Sequence, residues 1–437
     1  MSGNENGSDE RARSGDRAGD DDRPATEDRA GDDDRPATDG GTAEGSPRTE
    51  DGSARFAPAD RVESVPPSGI REFFEVAENR DDVISLGVGE PDFTAPWPAR
   101  SAAIDSLERG RTSYTANRGM FDLRKAIAGR VTRYGQSYDP DSEILVTTGA
   151  SEAVDLAFRA FVNPGDTVAL PTPTYVSYEP GVRFAGGEPL PVHTRHEDDW
   201  ALTPGALREA GADEADVLVL CYPNNPTGAT MDAAEMDAVA EFCREHDLLV
   251  VADEIYAALT YEGDHQSVAT RPGMRDRTVV INGFSKAYAM TGLRLGYAMG
   301  PEAAIDAMTK VHQYSMLSAP TTAQHAALAA IERCDDEVER MRREYDRRRR
   351  YVVSRLRELG IEVSEPGGAF YAFPRVTEVA PDGDARAFAT ELLEAEGVAA
   401  VPGTAFGAGG EGHIRISYAT GLDDLKEAMA RLERFLS

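Results

Sequence analysis

Residues 216–228 read DVLVLCYPNNPTG, an apolar run that stops abruptly on a loop of proline, asparagine and glycine. A short Val/Leu run bounded by turn residues has the length and composition of a strand buried on both faces. Two later segments repeat the arrangement. Residues 248–256 (LLVVADEIY) lead into Asp253 and Tyr256, and residues 278–286 (TVVINGFSK) lead into Asn282 and Lys286. Upstream, 144–148 and 167–170 are runs of the same kind. Between the runs, 151–161, 175–184 and 232–246 place apolar residues at helical spacing. This alternation predicts an α/β fold on a doubly wound, mostly parallel sheet. Ligands of such sheets bind outside the C-terminal ends of the strands. Asn225, Asp253, Tyr256 and Lys286 are therefore expected in one crevice.

Beyond Gly300 the pattern changes to long helices, notably 335–359, then to short strands at 369–373 and 413–418 and a helix at 422–436. These predict a smaller α+β domain. Arg347–Arg350 read as a solvated charged face of the long helix, and His413 as a structural residue. At the other end, DRAGDDDRPAT at 16–26 recurs unchanged at 28–38. A 12-residue repeat of acids, Arg, Gly and Pro has too little apolar surface to offset its ordering entropy. The expected organisation is a disordered acidic tail over 1–55 and an N-terminal arm and small-domain segment over 56–88. A large domain follows over 89–300, then long connecting helices and a small C-terminal domain over 301–437.

The formal charge is −31, of which residues 1–55, with 16 acids and eight arginines, hold −8. Such a chain repels nucleic acid and anionic membranes. Only four of its 46 basic residues are lysines. An acidic, arginine-rich surface fits a high-salt medium, in which self-repulsion is screened. No apolar run is long enough for a membrane helix, and the N-terminus has no secretory pattern. Cys221, Cys243 and Cys334 match neither a disulfide framework nor a zinc spacing, so a reducing cytoplasm is expected.

Residues 144–148 run into Gly149, Ala150 and Ser151 and then into a helix. Amides at such a start bind anions, but any strand-to-helix junction of a doubly wound fold needs a similar turn. A dinucleotide site is excluded: Gly87-Val88-Gly89 is followed by Asp92 where the fingerprint needs glycine. The three strand ends carry a different chemistry. A cofactor carried on lysine through an aldehyde needs a sheltered amine. It also needs a carboxylate at its ring nitrogen, donors to its ring oxygen and a cation at its phosphate.

PNNPTG (223–228), DEIY (253–256), SKAYAMTGLRLGY (285–297) and HIRISYAT (413–420) resemble the class I/II aminotransferases of pyridoxal-phosphate (PLP) fold type I, aspartate/aromatic aminotransferase-like, over roughly 65–435. The resemblance implies a large PLP-binding domain beside the smaller one, in an enzyme moving an amino group between an amino acid and a 2-oxo acid. Glutamate/2-oxoglutarate would be one pair, with aspartate, alanine or an aromatic amino acid as the other. The alternatives are another PLP reaction, such as a C–S lyase, or a non-catalytic binding protein. It also implies that Lys286 bonds to pyridoxal 5'-phosphate and that Asp253 pairs with the ring nitrogen. Asn225 and Tyr256 would bond the ring oxygen, and Arg294 the phosphate, beside Gly149, Ala150 and Ser151. Tyr175, in PTPTYVSY, would stack on the ring, and Arg415 would clamp the substrate α-carboxylate, with Gly89 and Asn225 lining that site. Tyr114, in RTSYTANRG, would reach the phosphate of a partner subunit, which implies a homodimer. Two positions depart from the family pattern: Gly283 stands where relatives often have Ser or Thr for the phosphate, and Ser151 where some aspartate enzymes have lysine.

Overall fold

Strands as far apart in sequence as Ile144 and Met299 pair into one sheet whose C-terminal edge brings the loops of the three motifs together. In this computed structural model residues 57–67 and 82–437 are described; the acidic tail, its repeat and part of the arm lie outside the described residues. After a short strand β1 (Ile84–Ser85) come β2 (Ile144–Thr147), β3 (Thr167–Thr172), β4 (Glu188–His193), β5 (Val217–Cys221), β6 (Leu249–Asp253), β7 (Thr278–Gly283) and β8 (Gly296–Met299). The last seven form one sheet in the order β2-β8-β7-β6-β5-β3-β4. All neighbours are parallel except β8, antiparallel to both β2 and β7.

Alternation along β5 shows how both faces are covered. Val217, Val219 and Cys221 join one apolar cluster with Val154 and Phe158 of the helix Ala150–Phe161. Leu218 and Leu220 join the opposite cluster with Val239 and Phe242 of the helix Ala233–Glu245. Successive strand residues face opposite sides, so this run is apolar throughout. Asp232 caps the second helix and exchanges side-chain bonds with Glu235 in a capping box, which starts the helix one residue after the apolar pattern.

The smaller sheet has β9 (Tyr371–Ala372), β11 (Val401–Pro402) and β12 (Ile414–Ser417) in the antiparallel order β11-β12-β9, while β10 (Val398–Ala399) pairs in parallel with β1. Two expectations are corrected. The helix expected from 175 begins at Tyr178, because Tyr178 N–H bonds the Tyr175 carbonyl and Thr174 N–H bonds the Phe406 carbonyl, holding 174–177 as a turn. Arg347–Arg350 do not form one solvated face. On the helix Asp335–Glu358, Arg348 and Arg349 are buried. Arg348 pairs with Asp92 and Glu344, and Arg349 with Asp346, Glu262 and Glu365.

Candidate active site

In register, Cys221 lies opposite Asp253 and Asp253 opposite Ile281, so β5 and β6 end level and β7 runs on to Gly283. Above them opens a cleft of about 1100 Å³ lined by Asn225, Asp253, Tyr256, Lys286, Arg294 and Arg415 among others. Gly89, Ala150, Ser151 and Tyr175 line it too.

Lys286 is half-buried, and its Nζ donates to the Gly89 carbonyl. Burial first, then the Arg415 cation, lower its pKa to about 8, so a far larger share of its amine is neutral than for a surface lysine. Asp253 is buried, and its carboxylate accepts from Tyr178 Oη at 2.8 Å and Ile255 N–H at 3.1 Å. Both donors are neutral, so burial prevails and raises its pKa to about 6. A cation placed against this carboxylate would lower that value.

The helix Ala150–Phe161 begins under Gly149, at φ 83°. A Cβ at Gly149 would come within 2.7 Å of Arg294 Nη2, and one at Gly296 would overlap the Ala150 amide. These two glycines let the helix start, β8 and the Arg294 guanidinium close on one point. Among the described residues, the Ala150 and Ser151 amides have no acceptor and Arg294 no carboxylate. At Gly283, a Cβ would lie 3.1 Å from atoms of Gly296, Ile255 and Leu295, so a side chain at this departure from the family pattern would fit tightly.

Arg415, on β12, is 4 % exposed, between the rings of Tyr371 and Phe406 at 4.6 and 4.7 Å. Its Nη1 donates to Asn225 Oδ1 at 2.8 Å and its Nη2 to the Gly87 carbonyl at 2.6 Å, while the buried Nε has no partner. Burial lowers its pKa. No acid pairs with it among the described residues, which leaves an oriented guanidinium ready for a carboxylate.

Two of the expected residues are absent from the cleft wall: Gly149, which lies directly behind Ala150 and against Arg294, and Tyr114, 78 % exposed on the surface. The sequence reading missed Tyr178, which holds Asp253, and Tyr371, whose Oη lies 3.0 Å from Tyr256 Oη. A signal for Tyr178 existed: it stands three residues beyond Tyr175. Tyr371 is brought in by the pairing of Ser417 with Tyr371 across β12 and β9, which no local pattern reveals. The cleft thus gathers free amides at a helix start beside Arg294, a buried carboxylate, a lowered-pKa amine and a guanidinium that no acid pairs with among the described residues. That donor set fits pyridoxal 5'-phosphate with an amino-acid carboxylate beside it.

The model of the family described as aminotransferase class I and II matches residues 81–432. A Bacillus subtilis (strain 168) protein that carries the name "Putative aminotransferase YugH" is 48 % identical over 379 residues, 86 % of this chain and 98 % of its own. An aspartate aminotransferase of Pyrococcus abyssi is 42 % identical over 385 residues, 87 % of this chain and 98 % of its own. Among solved structures, an aromatic aminotransferase of Pyrococcus horikoshii superposes with a TM-score of 0.78 at 42 % identity, covering 84 % of this chain and 98 % of its own.

Proposed function

The chain belongs to the class I and II aminotransferase family, and from that premise we propose that Lys286, Asp253 and Arg415 do its chemistry and that its donor pocket is broad. Membership makes it a pyridoxal-phosphate-dependent transferase that moves amino groups between amino acids and 2-oxo acids. The single observation that carries the residue assignment is the convergence of a neutralisable lysine, a buried carboxylate and an unpaired buried guanidinium in one cleft.

Arg415 takes the substrate α-carboxylate, and its two flanking rings fix the plane of that contact. Lys286 Nζ takes the Cα proton and gives one back. Asp253 holds a proton at the cofactor's ring nitrogen, and Tyr178 holds Asp253. Arg294 with the Ala150 and Ser151 amides would hold the phosphate, Tyr256 and Asn225 would bond the ring oxygen, and Tyr175 would stack on the ring. When bound, pyridoxal 5'-phosphate supplies the electron sink for the pair left by the departing proton.

Every amino acid offers an α-carboxylate, so discrimination needs a second group. Ser151 brings no charge; of the two further arginines in the cleft wall, Arg183 is paired with Glu179, and Arg386 stands on the helix Ala385–Glu396 and is the cation to test should aspartate be strongly preferred. A carboxylate desolvated without a cation is costly. Glutamate/2-oxoglutarate is therefore proposed as one pair, and aspartate, alanine or an aromatic amino acid as the other. A kcat/KM panel over aspartate, alanine and phenylalanine, in high salt, is expected to span less than about a thousandfold, roughly 4 kcal/mol. A larger preference for aspartate would overturn the broad pocket and require a further cation.

A homodimer is proposed from the surface around Tyr114. Asn117 Nδ2 bonds the Leu317 carbonyl at 2.7 Å and Thr321 Oγ1 the Ser113 carbonyl at 2.8 Å. These bonds set the Tyr114 loop beside a segment with Tyr314 86 % and Met316 51 % exposed. Exposed apolar side chains gathered in this way mark an interface. Sedimentation equilibrium is expected to give twice 47.1 kDa; a monomer at working concentration would remove the role of Tyr114. The division into a large PLP-binding domain over 89–300 and long connecting helices with a small C-terminal domain over 301–437 belongs to the same proposal. A salt-loving, cytoplasmic setting is supported by the charge of −31 and by three free, buried cysteines. Among the described residues, no helix is long and apolar enough to cross a membrane.

A further inference from the structure

We propose that Glu152 and His312 are positioning residues for the phosphate end of the cofactor site, acting together as a bridge that fixes the start of the helix Ala150–Phe161. Glu152 follows Ser151 directly, so a carboxylate stands one residue from the amides read as the phosphate site. Left free, it would repel a phosphate there. Both of its oxygens are instead committed away from the anion. Oε2 accepts from the Thr148 backbone N–H, and Oε1 lies 2.6 Å from His312 Nδ1. A carboxylate oxygen only accepts, so Nδ1 carries the proton in this contact.

The pair is shielded from water: the His312 side chain is 0 % exposed and that of Glu152 7 %. A contact so dry is screened little by salt, which suits an anchor in a concentrated-salt medium. His312 Nε2 has no partner, so the bond to Glu152 is the imidazole's one polar tie among the described residues. His312 lies on the helix Glu302–Ser315, in a part of the chain outside all the motifs of the cleft. From the other side, Thr147 Oγ1 donates to the Gly149 carbonyl at 2.8 Å. The turn 147–152 is thus pinned by Thr147 and by the Glu152–His312 bridge, which keeps its free Ala150 and Ser151 amides beside the Arg294 guanidinium packed on Gly149. Neither Glu152 nor His312 lines the cleft; both act through the backbone they hold.

The proposal rests on reading Gly149, Ala150, Ser151 and Arg294 as the phosphate site, and the test separates the two. Dissociation constants are measured spectroscopically for pyridoxal 5'-phosphate and for pyridoxal, which lacks the phosphate, on the full-length protein and its variants. His312→Leu is expected to weaken pyridoxal 5'-phosphate about tenfold or more while leaving pyridoxal within about twofold, a selective loss of roughly 1.4 kcal/mol or more. His312→Asn, which keeps an N–H donor near Nδ1, is expected to stay close to the parent. Should His312→Leu not fold, His312→Met supplies the same comparison. Equal weakening of both ligands, or a lower melting temperature with the ratio unchanged, would overturn the bridge. Arg294→Gln is the control. If it alone lowers the ratio, only the bridge fails; if it too leaves the ratio unchanged, the phosphate site itself is misplaced.

Discussion

Borohydride reduction of the cofactor-loaded protein is expected to leave the cofactor on Lys286 and on none of Lys125, Lys310 and Lys426. Lys286→Ala is expected to lose at least about 10⁴-fold in turnover, the upper end of what one positioned acid–base group supplies. Of the four lysines only Lys286 lines the cleft, and Lys426 is tied to Asp423 on the surface. The nucleophile is the neutral amine. A lysine at its ordinary pKa of 10.5 would offer little of it near neutrality, whereas burial and the Arg415 cation bring Lys286 to about 8. Cofactor loading of the bare protein should therefore accelerate with rising pH and level off just above 8. Levelling near 10.5, or a labelled peptide from another lysine, would sink the assignment. Arg415→Gln, which removes the second cause, should move the levelling point upward.

The fold was legible where the physics is local. A strand buried on both faces is apolar along its middle, and the 217–221 and 279–281 segments are. Two strands of the same sheet gave no such signal. β4 carries Pro189 and Pro191, which only an edge strand tolerates, and an edge is where it lies. β8 has four residues and begins with Gly296, whose missing side chain is needed for contact with Ala150. In the cleft, residues at strand ends were readable because the chain delivers them directly. Tyr371 and the Gly87 carbonyl reach Arg415 only through pairing across more than 40 residues. The buried arginines of the long helix were misread for a related reason: periodicity reports which face an arginine is on, while Asp92 and Glu262, their distant partners, decide whether burial is tolerated.

Asp253→Asn is expected to keep cofactor binding and lose on the order of a thousandfold in turnover, the scale of removing one preorganised electrostatic contact. In the proposed site the phosphate end and Lys286 would hold the cofactor independently of residue 253, so affinity should change far less than rate. An amide cannot keep a proton on the ring nitrogen, so the electron sink is lost while the fit remains. The carboxylate itself sets an acid limit. Burial raises its pKa to about 6 in the bare protein; below that pH the group is neutral and does the work of the amide. A cationic ring nitrogen favours the ionised form, so in the loaded enzyme the acid limb of kcat/KM should fall below pH 6. Tyr178 supplies the largest of the contacts that oppose this rise. Removing its hydroxyl in Tyr178→Phe should therefore raise the Asp253 pKa and shift the acid limb upward, with little change on the plateau. Near-parental turnover in Asp253→Asn would remove Asp253 from the ring nitrogen, and an unmoved limb in Tyr178→Phe would remove Tyr178 from Asp253.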